Sequence, residues 1–321
     1  EDTIRANIKS LKVKERSGFE INKLTAQFKF TPKIMEFDKL YLVTNKSTIG
    51  NYYAMHFSDF SKDFQNYNQN VIMKSHLVNA SVHTDDIAYF APEMKDMHQR
   101  LNLSCHFDGT VAKFETKDLT AAYNNSFVAG NFSMKGIPDM RNTQINFIGV
   151  NARTNYKDLS NWIPNLNSVK DLPFDALGQL RFNGEFRGTL YDFNTKGTIG
   201  TDLGMADAAL RLKFPKNEEP SYEGLLNTYH FNAGKLFNVS TLGFVNFKGK
   251  VSGTSFSLEK VKTQVEGNID SIQLNNYTYT NINTNGLFQK GAFNGTLKIK
   301  DPNINFISNI QLDLRDKMPK V

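Results

Sequence analysis

The sequence holds one cysteine, Cys105, and one tryptophan, Trp162, among 321 residues. A single thiol excludes an internal disulfide framework and any cysteine-based zinc site. Proline is scarce, at nine. No apolar run approaches the ~18 residues that cross a bilayer as a helix. There is no nucleophile elbow, no Walker loop and no dinucleotide-binding glycine fingerprint. The sequence opens on Glu1 rather than Met, carries no signal peptide and stops without a closing signal. It is therefore expected to be an internal or trimmed piece of a longer chain. The net charge of +6 is too diffuse to name a partner.

Other residues are in excess. Asparagine occurs 36 times, phenylalanine 26 and tyrosine 12. Aromatics favour strands, and asparagine favours turns. The spacing agrees. Val261-Lys-Thr-Gln-Val265-Glu-Gly-Asn-Ile269 puts apolar or small residues on odd positions, with Lys262, Gln264, Glu266 and Asn268 opposite. Leu180–Phe186, Ala208–Phe214, Val245–Val251, Phe293–Ile299 and Ile304–Leu314 alternate in the same way, as do Leu24–Phe30 and Leu101–Phe107. Strict alternation of this length is a strand with one dry and one wet face. The breaks are short and rich in turn formers, as at Lys290-Gly291 and Asp301-Pro302-Asn303. Strand thus follows strand as in an antiparallel meander.

Helix signal is confined to short stretches. Phe60, Phe64, Tyr67 and Val71 share one helical face. They predict an amphipathic helix over 58–70, with Ser58 or Asp59 as its N-cap. Asp85–Gln99 and Tyr156–Trp162 have room for a short helix each. The fold class is all-β, a long, mostly antiparallel sheet, and 1–321 reads as a single elongated segment with no firm boundary.

About 18–20 strands are too many for one sandwich or small barrel. The dry face then belongs either to a sealed core or to a sheet curled lengthwise, with an apolar trough about 90 Å long at ~4.8 Å per strand. On the trough reading its lining includes Phe182, Phe186, Leu210, Leu212, Phe247, Val251, Val261, Val265, Ile269, Leu297, Ile299, Phe306, Ile310 and Leu312. Asn305, Asn309 and Gln311 then face water.

Catalytic constellations do not emerge. None of the six histidines has the paired spacing of a helical zinc site. Neighbours in a strand point to opposite faces, so Asp85-Asp86 and Glu218-Glu219 are not natural acid/base dyads. Cys105 sits at a dry-face position, as core packing requires. Aromatics that share a face with aliphatic residues, as in Phe28-Lys29-Phe30, do not form a nucleic-acid platform. The chain reads as a non-enzyme without a cofactor or metal. A carbohydrate-binding solenoid would need exposed tryptophan and tyrosine beside acidic clusters, and one tryptophan argues against it.

The stretches Val251–Leu258, Val265–Ile282, Gly286-Leu287 and Phe293–Asn303 resemble the AsmA-like superfamily, in its branch of large periplasmic translocation-and-assembly-module (TamB-type) proteins from Asn-rich Gram-negative bacteria. Ser58–Ser61, Asp86–Pro92 and Gly136–Asp139 fit the same family's text, and the likeness runs from about residue 50 to 315. The resemblance implies a taco-shaped β-groove in the periplasm that carries phospholipid acyl chains between the inner and outer membranes. It also implies an inner-membrane anchor and an Omp85-type outer-membrane barrel partner, both met by regions outside this chain. The alternative role within the same family is a scaffold for outer-membrane protein assembly by β-augmentation.

Overall fold

The computed structural model describes residues 2–89, 94–162, 174–256 and 259–313. Parts of the expected Asp85–Gln99 helix and of the family-like strings, at 90–93 and 257–258, lie outside the described residues, as does residue 314 onward. The chain forms two units, residues 1–152 and 153–321.

The first unit is a meander of β1 (Ile4–Lys14), β2 (Glu20–Thr31), β3 (Ile34–Thr44), β4 (Thr48–His56), β5 (Ile72–His83), β6 (Arg100–Gly109), β7 (Lys113–Tyr123), β8 (Ser126–Lys135) and β9 (Gln144–Asn155). β1 to β7 each pair antiparallel with the next strand in the chain. Between β4 and β5 lie α1 (Phe60–Gln65) and α2 (Tyr67–Asn70), and α3 (Thr84–Ile87) follows β5. The helix expected over 58–70 is thus two short pieces, broken at Asn66 with φ −127° and ψ 53°. Asp59 is its N-cap, accepting from the Lys62 N–H at 3.0 Å. Phe60, Phe64 and Tyr67 do share a face, with ring centroids 4.4 and 5.6 Å apart. Leu24, Ala26 and Leu40 form the unit's small buried core, flanked by Ile8, Phe37 and Tyr53.

The second unit opens with α4 (Tyr156–Leu159) and a 3-10 turn at Phe174–Leu177. Its strands are β10 (Gln179–Gly188), β11 (Asp192–Thr201), β12 (Gly204–Lys213), β13 (Ser221–Tyr229), β14 (Phe231–Asn232), β15 (Leu242–Thr254), β16 (Lys262–Leu274), β17 (Tyr277–Gln289), β18 (Ala292–Asp301) and β19 (Ile304–Asp313), with α5 (Ala233–Phe237) before β15. All their pairings are antiparallel, and two-residue β14 shares β15 with β13. Among the described residues no pairing joins β1 to β9 or β10 to β19, so neither meander closes into a barrel. The strong curl expected from the sequence is not seen. In place of a curl, the dry face is partly covered in-plane, where the rings of Phe182, Phe247 and Phe293 lie over glycines.

The asparagine excess has a conformational cause. Seven asparagines, including Asn51, Asn79 and Asn281, hold positive φ among the described residues. Asparagine tolerates the left-handed region better than branched residues do. Several mark β-bulges, as Asn79 does between Leu77 and Ala80 of β5.

One turn recurs. Phe107-Asp-Gly109-Thr110 ends β6, and Phe186-Arg-Gly188-Thr189 ends β10. In both, the threonine hydroxyl accepts the N–H three residues on, at 3.1 and 3.0 Å. In both, the phenylalanine packs on one seven residues later, at 4.8 and 4.5 Å. Gly109 and Gly188 have φ of +135° and +140°, and a Cβ at either would lie within 2.4 Å of a carbonyl oxygen across the turn. Only glycine fits there. A short helix precedes each of these strands, and α5 precedes β15, which also ends on Gly253-Thr254.

Buried carboxylates pin the connections. Asp86 accepts from Thr44 Oγ1 and Ser47 Oγ at 2.6 Å and from the Lys46 N–H at 3.0 Å, tying α3 to the β3–β4 turn. Asp63 accepts from the Ser58 and Asp59 N–H groups. Asp301 accepts from the Tyr277 hydroxyl at 2.7 Å and from the Asn303 and Thr280 N–H groups at 3.0 Å. The Asp59 N–H holds the Asp63 carboxyl below the usual range, and the Tyr277 hydroxyl does the same for Asp301. Each group contributes stability above its unfolded pKa of about 3.9 and loses it as pH falls through the lower folded value. The melting temperature is expected to hold from neutral pH to about 5 and to drop below about 4. Asp301→Asn should melt lower at neutral pH and show a shallower acid decline; superimposable acid limbs would assign that decline to other groups.

Candidate functional site, an apolar sheet face

The ladder registers of the second unit gather the sequence-predicted lining residues. Directly opposed residues in an antiparallel pair share a face. One row runs Phe186, Thr195, Leu210, Gly224, Val251, Val265, Gly286, Gly295, Ile310 across nine strands. A second joins Leu212 to Tyr222 and, beyond Gly253 and Thr263, Phe288, Phe293 and Leu312. A third carries Phe247, Ile269, Ile282, Ile299 and Phe306. Phe182 opposes Ile199, and Leu297 opposes Thr284, on the same face. Val261 immediately precedes β16, in step with Thr263 and Val265.

Four of the fourteen, Phe247, Val251, Val261 and Ile299, are buried at 8–9% exposure. The other ten are half-buried. Mid-strand residues of a sealed core would all be buried. Here the neighbours that cover them lie mainly within the same sheet. Asn305, Asn309 and Gln311 are exposed on the opposite face, in step with the predicted alternation. Ile307 departs from the pattern: it sits on that polar face at 66% exposure.

Sequence reasoning missed the aromatic members Phe193, Tyr222 and Phe288, which the register adds to this face beside Phe293, already on the dry side of its own alternation. Their signal was the partner strand. Each opposes an apolar or aromatic residue that only pairing identifies. The rings form a chain, Phe186 to Phe193 at 4.5 Å, Phe193 to Phe214 at 6.1 Å and Tyr222 to Phe256 at 5.2 Å.

Large and small residues alternate closely. Gly184 opposes Gly197, Gly249 opposes Gly267, and Gly286 opposes Gly295. The rings of Phe182, Phe247 and Phe293 lie over three of these glycines, where a Cβ would come within 2.8 Å of the ring. The hydroxyls on the face are internally satisfied. Thr195 donates to the Glu185 carbonyl at 3.1 Å, Thr228 to the Val245 carbonyl at 3.1 Å, and Tyr222 meets Thr263 at 2.6 Å. Burial raises the Tyr222 phenol pKa, so it stays neutral. The rows carry no charged side chain, so what they offer is a dry surface for apolar chains.

The candidates for chemistry lie elsewhere and apart. His76 and His106 stack at 4.0 Å on the exposed face of the first unit. Asp85 points to His98 and Lys46, while its neighbour Asp86 points inward to Thr44 and Ser47. Glu219 pairs with Lys260. Cys105 is buried, and burial pushes its thiol pKa up. Among the described residues no three His, Cys, Asp or Glu are placed to hold a metal ion, and no helix is long and apolar enough to cross a membrane. In comparisons with protein-family models, with curated proteins and with solved structures, nothing matches this chain.

Proposed function

We propose that the chain is a periplasmic segment of an AsmA-like, TamB-type protein, and that it carries phospholipid acyl chains along the apolar face between the inner and outer membranes. The observation that supports this most is the uncharged, half-covered face that runs through β10 to β19. Two ordinary acyl chains in water cost on the order of 20 kcal/mol, at ~0.8 kcal/mol per CH₂. A continuous dry surface offsets most of that without a nucleophile or cofactor, and headgroups ride in water at its margin. Curling of the sheet around the chains is part of the reading. The opposed glycines favour it, since they let neighbouring strands approach closely on the apolar side. Anchoring in the inner membrane and docking to an Omp85-type barrel belong to regions outside this chain.

The alternative role, β-augmentation of outer-membrane proteins, draws on β19 rather than β1. β1, with its described pairing to β2, carries Arg5, Lys9, Lys12 and Lys14, the charges that blunt an edge, whereas β19, with its described pairing to β18, carries no lysine, arginine or proline. Native mass spectrometry of the chain purified from a Gram-negative host tests the proposal. Phospholipid adducts are the expected result. A lipid-free protein that also takes up none from mixed phospholipid micelles would sink it.

A further inference from the structure

The polar face of the second unit carries a cleft of about 590 Å³ that the proposed lipid path does not use. That volume lies in the range of small-ligand sites. Its shape follows from the register. Lys213, Ser221, Thr254 and Lys262 stand side by side on β12, β13, β15 and β16. Arg211, Glu223, Ser252 and Gln264 form the next row. Adjacent strands are ~4.8 Å apart, so the two lysine stems rise about 14 Å from each other over a floor of short hydroxyl side chains. Long residues at both margins and the short Ser221, Ser252 and Thr254 between them make the hollow, with Glu223 rising beside them.

The charges in the cleft are unevenly committed. Arg211 is locked onto Asp192 by two hydrogen bonds of 3.0 Å. Neither Lys213 nor Lys262 forms a contact ion pair among the described residues, although Lys213 stands directly opposite Asp192, whose carboxyl Arg211 and, more weakly, Lys213 hold below the usual range; Glu223 is the one acidic residue lining the cleft. The ring of Tyr222 stacks on Phe256 and does not offer the cleft a stacking surface.

We propose that this cleft binds a phosphorylated polyol, with the phosphate between Lys213 and Lys262 and the hydroxyls on Ser221, Ser252, Thr254 and Gln264. Two lysines at opposite margins of the cleft suit a phosphate group with several acceptor oxygens, and the guanidinium fork that would select a planar carboxylate is already occupied. The lack of an aromatic platform disfavours nucleobases. The hydroxyls, and the carbonyl oxygen of Gln264, whose Nε2 donates to Asn285 Oδ1 at 2.9 Å, pair with a polyol's alternating donors and acceptors.

Glycerol 3-phosphate is the probe, titrated into the isotope-labelled whole chain at low salt. Saturable shifts in the amide signals of Ser221, Ser252, Thr254 and Gln264 are expected, with none for glycerol. Lys213→Glu and Lys262→Glu should each weaken binding about tenfold or more, and added salt should weaken it further. Ser252→Leu, which fills the floor without changing charge, should weaken it too, with circular dichroism confirming the fold. Vesicles of phosphatidylglycerol identify the source. Vesicle binding that glycerol 3-phosphate displaces assigns the phosphate to a lipid headgroup; shifts without vesicle binding assign it to a soluble phosphate ester. No saturable shift together with no lysine-dependent vesicle binding overturns the proposal. So does binding indifferent to both lysine substitutions. Loss of acyl-chain adducts in native mass spectrometry leaves this result untouched, because the two sites lie on opposite faces.

Discussion

Gly249→Val is expected to lower the stability of the second unit by about 3–5 kcal/mol. A Cβ at this position would lie 2.2 Å from the Glu266 carbonyl oxygen and 2.8 Å from the Gly267 Cα. Both are backbone atoms of the opposing strand, so the β15–β16 ladder has to spread to admit even one methyl. The same Cβ would meet the Phe247 ring at 2.8 Å. Phe247 is buried, and displacing it forfeits up to ~2–3 kcal/mol of apolar burial. Gly184→Val repeats the test at a second pair, where the Lys196 carbonyl oxygen would be 2.2 Å away. Gly200→Ala is the control. Its nearest non-neighbouring atom would be the Arg181 Cβ at 3.7 Å, an ordinary contact. Urea melts of the three variants separate close strand approach from a general intolerance of glycine replacement. A Gly249→Val protein as stable as the parent would remove the approach itself, and with it the main support for a sheet able to curl toward its apolar side.

The alternation of apolar and polar residues made the second unit legible because its central ladders are regular. From β10 to β13 no bulge interrupts the pairing, so parity read along Leu180–Phe186 or Ala208–Phe214 carries through each strand. In the first unit parity fails. β3 bulges between Asp38 and Leu40, with Lys39 at φ 49°, and β7 bulges between Thr116 and Leu119, with Asp118 at φ 52°. A lysine gives no sequence warning of a left-handed residue. Every side chain past such a point changes face, and Val78, beside the bulge at Asn79, ends up 46% exposed. The fourteen predicted lining residues came from strands that read cleanly on their own. Phe193, Tyr222 and Phe288 needed the partner strand. The helix α5 was missed because five residues, Ala233–Phe237, are too short to show a 3.6-residue period. The recurring Phe-x-Gly-Thr string was legible and went unused. It also occurs mid-strand, at Phe293–Thr296, so spacing alone does not identify the turn.

Val265→Arg is expected to abolish bound phospholipid while lowering stability only modestly, by about 1–2 kcal/mol. Val265 sits mid-strand on the apolar face between Val251 and Gly286, and it is half-buried. Over Gly286 an arginine stem has room to lie along the sheet and carry its guanidinium to water, as long cationic side chains do at apolar boundaries. The hydrogen-bonded ladder does not need this side chain to be enclosed. An acyl chain passing over the same point does need a dry surface there, and a charge at that point raises its local free energy by several kcal/mol. Glu266→Gln, one residue along and on the polar face opposite Lys250, is the control; it should leave bound lipid unchanged and alter stability by less than about 1 kcal/mol. Under a sealed-core alternative the order inverts: an unpaired charge in a closed interior costs 3–5 kcal/mol or more, on the order of a small domain's whole stability. Melting and lipid adducts measured on the same samples therefore distinguish the two. Lost lipid with near-normal melting supports an open acyl-chain path. Collapse of the fold, in a protein whose parent binds no lipid, identifies the face as the wall of a core, because only enclosure makes one arginine that expensive.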